Sequence, residues 1–147
     1  MAKPRKEAYM SELIFNLNRF VEDSAASRKV KGVKTLPENC FLSQAITGDY
    51  QAFTALYAED AVLTAFAAKY SKFELDHYDS IVNELAADFM NLHNGLFLVN
   101  LSDTEDVEST LEPPVLEPPE EPFTLHSKIW VLPVDFSFGT VNFVLSE

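Results

Sequence analysis

The run Glu112-Pro-Pro-Val-Leu-Glu-Pro-Pro-Glu-Glu-Pro122 constrains this chain most, because of how little sequence lies beyond it. Its composition alone suggests an interdomain linker. Only 25 residues follow, however, and they divide into two strand-like stretches, Phe123 to Leu132 and Val134 to Leu145. Two strands are too few to fold by themselves. They have to complete a sheet begun earlier, so the proline segment is expected to be a loop inside one domain spanning residues 1–147. A length of 147 residues with 47% apolar content and 12% aromatics is enough for one core.

The rest of the pattern is read from hydrophobic period. Glu7 to Ala26 places Met10, Leu13, Ile14, Leu17 and Val21 at the spacing of an amphipathic helix. Arg28 to Leu36 alternates charged and apolar positions, which predicts a half-exposed strand ending at Pro37. Phe41 to Thr47 and Gln51 to Tyr57 read as paired strands turned by Gly48-Asp49. The period then changes. Glu59 to Ser71 is expected to be a helix, and a longer one runs from about Asp76 to about Asn94. Asn94-Gly95 either caps that helix or is a close-packing point within a helix that continues through Leu96-Phe97-Leu98-Val99. Ser102 to Ser109 is a loop or a short edge strand. This order of elements predicts an α+β two-layer fold.

Charge narrows the function classes. The chain carries 23 acidic against 11 basic residues, a formal net charge of −12. The basic residues lie mostly before position 35, and the acidic excess lies after position 48. Nucleic acid is excluded as an expected partner, because phosphate-backbone binding relies on clustered Lys and Arg. A protein docking on the second half meets negative potential and should bring positive charge. There is no run of eighteen apolar residues to cross a membrane, and Met1-Ala-Lys-Pro-Arg-Lys-Glu7 has no apolar core or cleavage site after its positive charges. A cytoplasmic location is the expectation. The single Cys40 cannot form an internal disulfide.

Within the long helix Glu84, Asp88 and Asn91 are spaced four and three residues apart, so they share one face. Two carboxylates and a carboxamide on a strongly apolar helix form either a solvated face or a site; for exposed charge alone, the solvated face is the default. Other chemistry has weaker support. His77, Asp88 and His93 lack the spacing of a metal-ligand set such as His-Glu-x-x-His. With four glycines there is no Gly-rich phosphate cradle, and neither a Ser nor the Cys stands in a nucleophile-elbow context.

The stripe and its distance from Pro114 resemble a known pattern. In the CheX-like members of the CheC/CheX/FliY group, which dephosphorylate response regulators in bacterial chemotaxis, an Asp or Ser is followed after three residues by Glu. Asn follows after two more residues, and Pro after another twenty-two. Here Glu84 takes the first place, Asp88 stands at the Glu, Asn91 is the Asn, and residues 92–113 lead to Pro114. The alternative register, with Glu84 at the family Glu, puts Ala87 at the Asn place and loses the amide. The chain departs from the pattern at Glu84 for Asp or Ser and at Asp88 for Glu.

The resemblance implies a CheC/CheX-like fold with an antiparallel-rich sheet packed by long helices. It also implies hydrolysis of the phospho-aspartate of a response-regulator receiver domain. Asp88 and Asn91 would be catalytic and Glu84 and Pro114 supporting. The protein would need no cofactor of its own, since Mg²⁺ is expected on the partner receiver. The other reading is a non-catalytic module that binds a receiver or pairs with itself, with the terminal strand Thr140 to Leu145 offering an edge for a homodimer.

Overall fold

A computed structural model describes residues 5–37, 40–117 and 128–147. The order is α1 (Lys6–Phe20), β1 (Ala26–Ser27), β2 (Lys31–Val33), β3 (Leu42–Gly48), β4 (Ala52–Tyr57), α2 (Asp60–Ser71), α3 (Ser80–Glu105), β5 (Ser109–Leu111), β6 (Ile129–Phe136) and β7 (Gly139–Ser146). The strands form one sheet in the order β1-β6-β7-β4-β3-β5, with β2 also on β6, and every pairing is antiparallel. The last two strands therefore do complete a sheet begun before the proline segment. They enter its middle, and β4 lies against β7 rather than against open solvent.

Alternation along the strands makes two layers. Leu132, Val134 and Phe136 of β6, Val141, Phe143 and Leu145 of β7, Ala52 and Leu56 of β4, and Leu42 and Ile46 of β3 face the helices. Leu13 and Leu17 of α1, Leu63 and Phe66 of α2, and Val82, Phe89 and Phe97 of α3 close over them. At the centre Phe66 meets Phe89 edge-on at 5.5 Å between centroids, and each lies 6.3 Å from Phe143. The opposite sheet face carries a smaller cluster of Cys40, Phe53, Ala55, Ile129, Val131 and Val144. Burial there pushes the Cys40 thiol up to about 12.

Tertiary context decides one open expectation and corrects several others. The long helix passes through Asn94-Gly95 and ends at Asp106 in a left-handed cap (φ 55°). Gly95 is not a close-packing point, because a Cβ there would meet only Leu111 Cδ1 at 4.0 Å. The helix begins late, at Ser80, where the Asp79 carboxylate accepts from the Ile81 amide at 3.0 Å. α1 ends at Phe20, short of Ala26. The expected Arg28 to Leu36 strand shrinks to β2, with β1 lying just before it at Ala26–Ser27, and part of the Ser102 to Ser109 stretch is the last turn of α3.

The break between β1 and β2 has a cause in β6. Pro133 does not end that strand but lies inside it, with its carbonyl accepting from Arg28 N on the outer side. The missing proline N–H therefore faces the point where the outer strand is interrupted, where a proline is tolerated. The hairpin turn accordingly falls at Ser137-Phe138 rather than at Pro133. The expected strand start at Phe123 lies outside the described residues, as do residues 118–122 of the proline-rich segment.

The expected terminal edge is also overturned. β7 is paired on both sides, by β4 and β6, so Thr140 to Leu145 offers no edge for a second copy.

Gly48 is packed closely against the backbone of β5 and the residue before it. Its φ is +110°, and a Cβ would lie 2.8 Å from the Glu108 carbonyl oxygen and 2.9 Å from Ser109 Cα. Strain and clash act together, so Gly48→Ala is expected to destabilise the fold by about 2 kcal/mol, read as a lower denaturant midpoint at unchanged slope.

Candidate functional site

The buried side of α3 is a run of Val82, Ala86, Phe89, His93 and Phe97, and its exposed side carries Ile81, Glu84, Asp88 and Asn91. The three predicted side chains thus do share one solvent-facing stripe. Their supports differ. Asp88 is held from α2, where the Tyr70 hydroxyl donates to Asp88 Oδ2 at 2.6 Å. Burial, and next the Asp88 carboxylate, raise the Tyr70 phenol above its ordinary range, so it stays protonated and keeps donating at neutral pH. Asn91 is held from the sheet, where Gln44 of β3 donates Nε2 to Asn91 Oδ1 at 2.7 Å. Glu84 lies one turn earlier on the same face, apart from both of these hydrogen bonds.

Pro114 reaches this neighbourhood through the backbone. Beyond β5 the chain continues beside β3, with Glu112 N donating to the Ala45 carbonyl at 3.0 Å and Val115 exchanging two backbone bonds with Ser43. Leu111 faces Ile46 whereas Val115 faces Ser43, so four steps on the outer chain span three on β3. The extra residue is a bulge that falls at Glu112-Pro113-Pro114, where two residues have no N–H to donate. Gln44 Nε2 also donates to the Glu112 carbonyl at 3.0 Å. One glutamine amide therefore ties Asn91 to the turn that carries Pro114.

Behind Asn91 lies a polar network in an otherwise apolar interface. Asn94 Nδ2 donates to Gln44 Oε1 and to Thr54 Oγ1, both at 2.9 Å, and Asn94 Oδ1 accepts from the Tyr9 hydroxyl at 2.6 Å. Thr54 Oγ1 donates onward to the Gln44 carbonyl at 2.7 Å. Tyr9, Gln44, Thr54 and Asn94 are all buried. Among the described residues, no three His, Cys, Asp or Glu side chains converge as a metal-ligand set.

No protein-family model matches this sequence, and no curated protein sequence does. Solved structures do. A CheC-like superfamily protein from Shewanella sp. PV-4 has a TM-score of 0.77 at 14% identity, covering 99% of this chain and 98% of that one. A chain of the CheX–CheY–BeF3–Mg²⁺ complex from Borrelia burgdorferi has a TM-score of 0.78 at 13% identity over 97% of both chains. The chemotaxis protein CheX from Desulfovibrio desulfuricans follows at 0.71 and 12%, covering 95% of each. The chain has the CheC/CheX fold.

Coverage of this extent means that the CheC/CheX fold accounts for β6 and β7 as well as for the helices. Within it, the exposed stripe is legible from helical spacing, whereas the supporting roles of Gln44, Tyr70, Thr54 and Asn94 are not. Gln44 did leave a signal: it has the inward parity of Leu42 and Ile46, and an amide at that parity needs partners. Tyr70 left none, since an aromatic at helical spacing reads as core.

The two helix-region histidines have opposite surroundings. His77 is exposed beside Asp76, at 2.7 Å, and Asp79, which raise its pKa. His93 is buried, with Nδ1 2.9 Å from Asn16 Nδ2 and with no hydrogen-bond partner for Nε2 among the described residues. Burial lowers its pKa to about 3, so it is neutral in the folded protein. The unfolded chain binds a proton at this residue near pH 6.5, before the folded state does. Its contribution is therefore fully present above about pH 6.5 and falls as pH drops toward 3. Unfolding free energies measured by urea titration across that window should decline less steeply for His93→Gln than for the wild-type chain.

Proposed function

We propose that this protein is a CheX-like phosphatase that hydrolyses the phospho-aspartate of a response-regulator receiver domain, in chemotaxis or another two-component pathway. The observation that carries the reading is the exposed acid–amide pair Asp88 and Asn91 on α3 of a CheC/CheX fold, each held by a neighbouring element. The comparison with a CheX–CheY complex supports a receiver as the partner.

The chemistry asks little of the catalyst beyond position and charge. A water oxygen forms a bond to phosphorus as the bond from phosphorus to the aspartyl oxygen breaks. The aspartate leaves with the electron pair as a carboxylate, and the water gives up a proton to solvent or phosphate oxygen. Asn91 holds that water in line. Asp88 pairs with a lysine of the receiver and sets the docking register. Mg²⁺ belongs to the receiver on this reading, and it neutralises charge on the phosphoryl oxygens. Glu84 and Pro114 support the face, the first by charge and the second by shaping the adjoining turn.

A second reading has one observation in its favour. Asp is one methylene shorter than the family's Glu, and here Tyr70 occupies one of its carboxylate oxygens. A module with reduced reach binds a receiver without hydrolysing its phosphate. Phosphate release separates the two, whereas co-precipitation does not, because both bind.

The decay of an acyl-phosphorylated receiver from the same genome, with and without this protein, is the direct assay. Asn91→Ala should lower the stimulated rate roughly 10²-fold, about 2.7 kcal/mol of barrier, with binding retained. Asp88→Ala should instead raise the half-saturating concentration. An Asn91→Ala protein that dephosphorylates at the wild-type rate sinks the catalytic assignment.

A further inference from the structure

We infer that Gln44 is the positioning residue of this site: it fixes the Asn91 carboxamide so that its N–H₂ group, and not its carbonyl oxygen, is presented to the bound receiver. The inference rests on the proposed phosphatase reading for its kinetic consequence, but its geometric content stands on the chain itself.

The orientation follows from which atoms can donate. The Glu112 backbone carbonyl only accepts, so the Gln44 atom 3.0 Å from it is Nε2. That same atom lies 2.7 Å from the Asn91 amide and donates its second hydrogen there, so Asn91 must turn Oδ1 toward it. The other end of Gln44 agrees, since Oε1 accepts from Asn94 Nδ2. Asn94 is set in turn by that acceptor-only oxygen, which takes its Nδ2 and leaves its Oδ1 to accept from the Tyr9 hydroxyl. Each amide in the chain Tyr9–Asn94–Gln44–Asn91 therefore has one permitted orientation.

Asn91 is the exposed end of this chain, and with its Oδ1 taken by Gln44 its Nδ2 is the amide group left to meet a partner. A water bound there accepts through one lone pair, which leaves the other for in-line attack on phosphorus. Without Gln44 the Asn91 side chain, exposed and free to rotate about its last torsion, would present oxygen and nitrogen in turn. Gln44 is almost completely buried, at 1% exposure, so it acts through Asn91 and does not touch the substrate.

Thr54 supplies a structural control. Thr54 is equally buried and belongs to the same network, but it contacts Asn94 and the Gln44 backbone rather than Asn91. Gln44→Met conserves volume and removes the amide, while Thr54→Val removes a hydroxyl of the network and leaves the Gln44–Asn91 bond. Both variants lose stability, so stability alone does not distinguish them.

Two measurements on the full chain test the idea. In nitrogen-15 NMR the Asn91 side-chain amide should be ordered in the wild type and in Thr54→Val, and mobile in Gln44→Met. Equal order in all three overturns the inference, whatever the activity. In the receiver-phosphate assay, Gln44→Met should lose roughly tenfold in maximal rate at an unchanged half-saturating concentration, with Thr54→Val near wild type. Equal losses in the two variants reduce Gln44 to a structural residue and overturn the inference. If the wild-type chain itself does not accelerate decay, the phosphatase reading fails, and the NMR comparison still decides the role of Gln44.

Discussion

Asn94 sits fully buried at the junction of α1, α3 and the sheet, and its side-chain amide takes partners from three elements: Tyr9 of α1, Gln44 of β3 and Thr54 of β4. Each of these groups would cost about 1–3 kcal/mol if buried without its partner. Apolar packing between a helix and a sheet tolerates small slides and rotations, whereas directional bonds to three elements do not. A slide of α3 by one turn, about 5.4 Å, would break all of them together while leaving most apolar contact in place. The network therefore sets where α3 stands on the sheet, and the position of every residue on its outer face follows from that.

The exposed stripe inherits this fixity at one end and lacks it at the other. Asn91 is one helical turn from Asn94 and shares Gln44 with it, so its exposed amide is joined to the bonds that seat the helix. Asp88 depends on α2 through Tyr70, and α2 is seated by Phe66 against Phe89 and Phe143. Glu84 is beyond both supports. A graded site results: the amide is held by the sheet, the acid by a neighbouring helix, and Glu84 by neither.

What could be read in the sequence matches what is local. The helical period of α3, the turn at Gly48-Asp49 and the alternation in the last strands are properties of neighbouring residues, and these were legible. The shared face of Glu84, Asp88 and Asn91 was legible for the same reason. Long-range features were not. Nothing near Pro133 announces that its bare nitrogen will face the break between β1 and β2, so a strand end was read where a strand continues. Thr140 to Leu145 looked like an edge because it comes last in the chain, yet order along the chain does not give order across a sheet. The support of Asn91 spans 47 residues, from β3 to α3, and no helical spacing rule reaches that far.

Charge explains why such support matters on the proposed reading. A chain of net charge −12 approaching a negatively charged phosphoryl group gains no general attraction to that group from its own field. At physiological ionic strength, charge is screened beyond about 8 Å, so the encounter is governed by contacts made at short range. Side chains that reorganise after docking draw on the binding energy of those contacts. A site built from one acid and one amide can work under those terms only if both are already oriented before the partner arrives. Rotating a single exposed amide costs little, but so does misplacing it. The bonds from Gln44 and Tyr70 move that choice from the encounter into the fold, where the energy of the core enforces it.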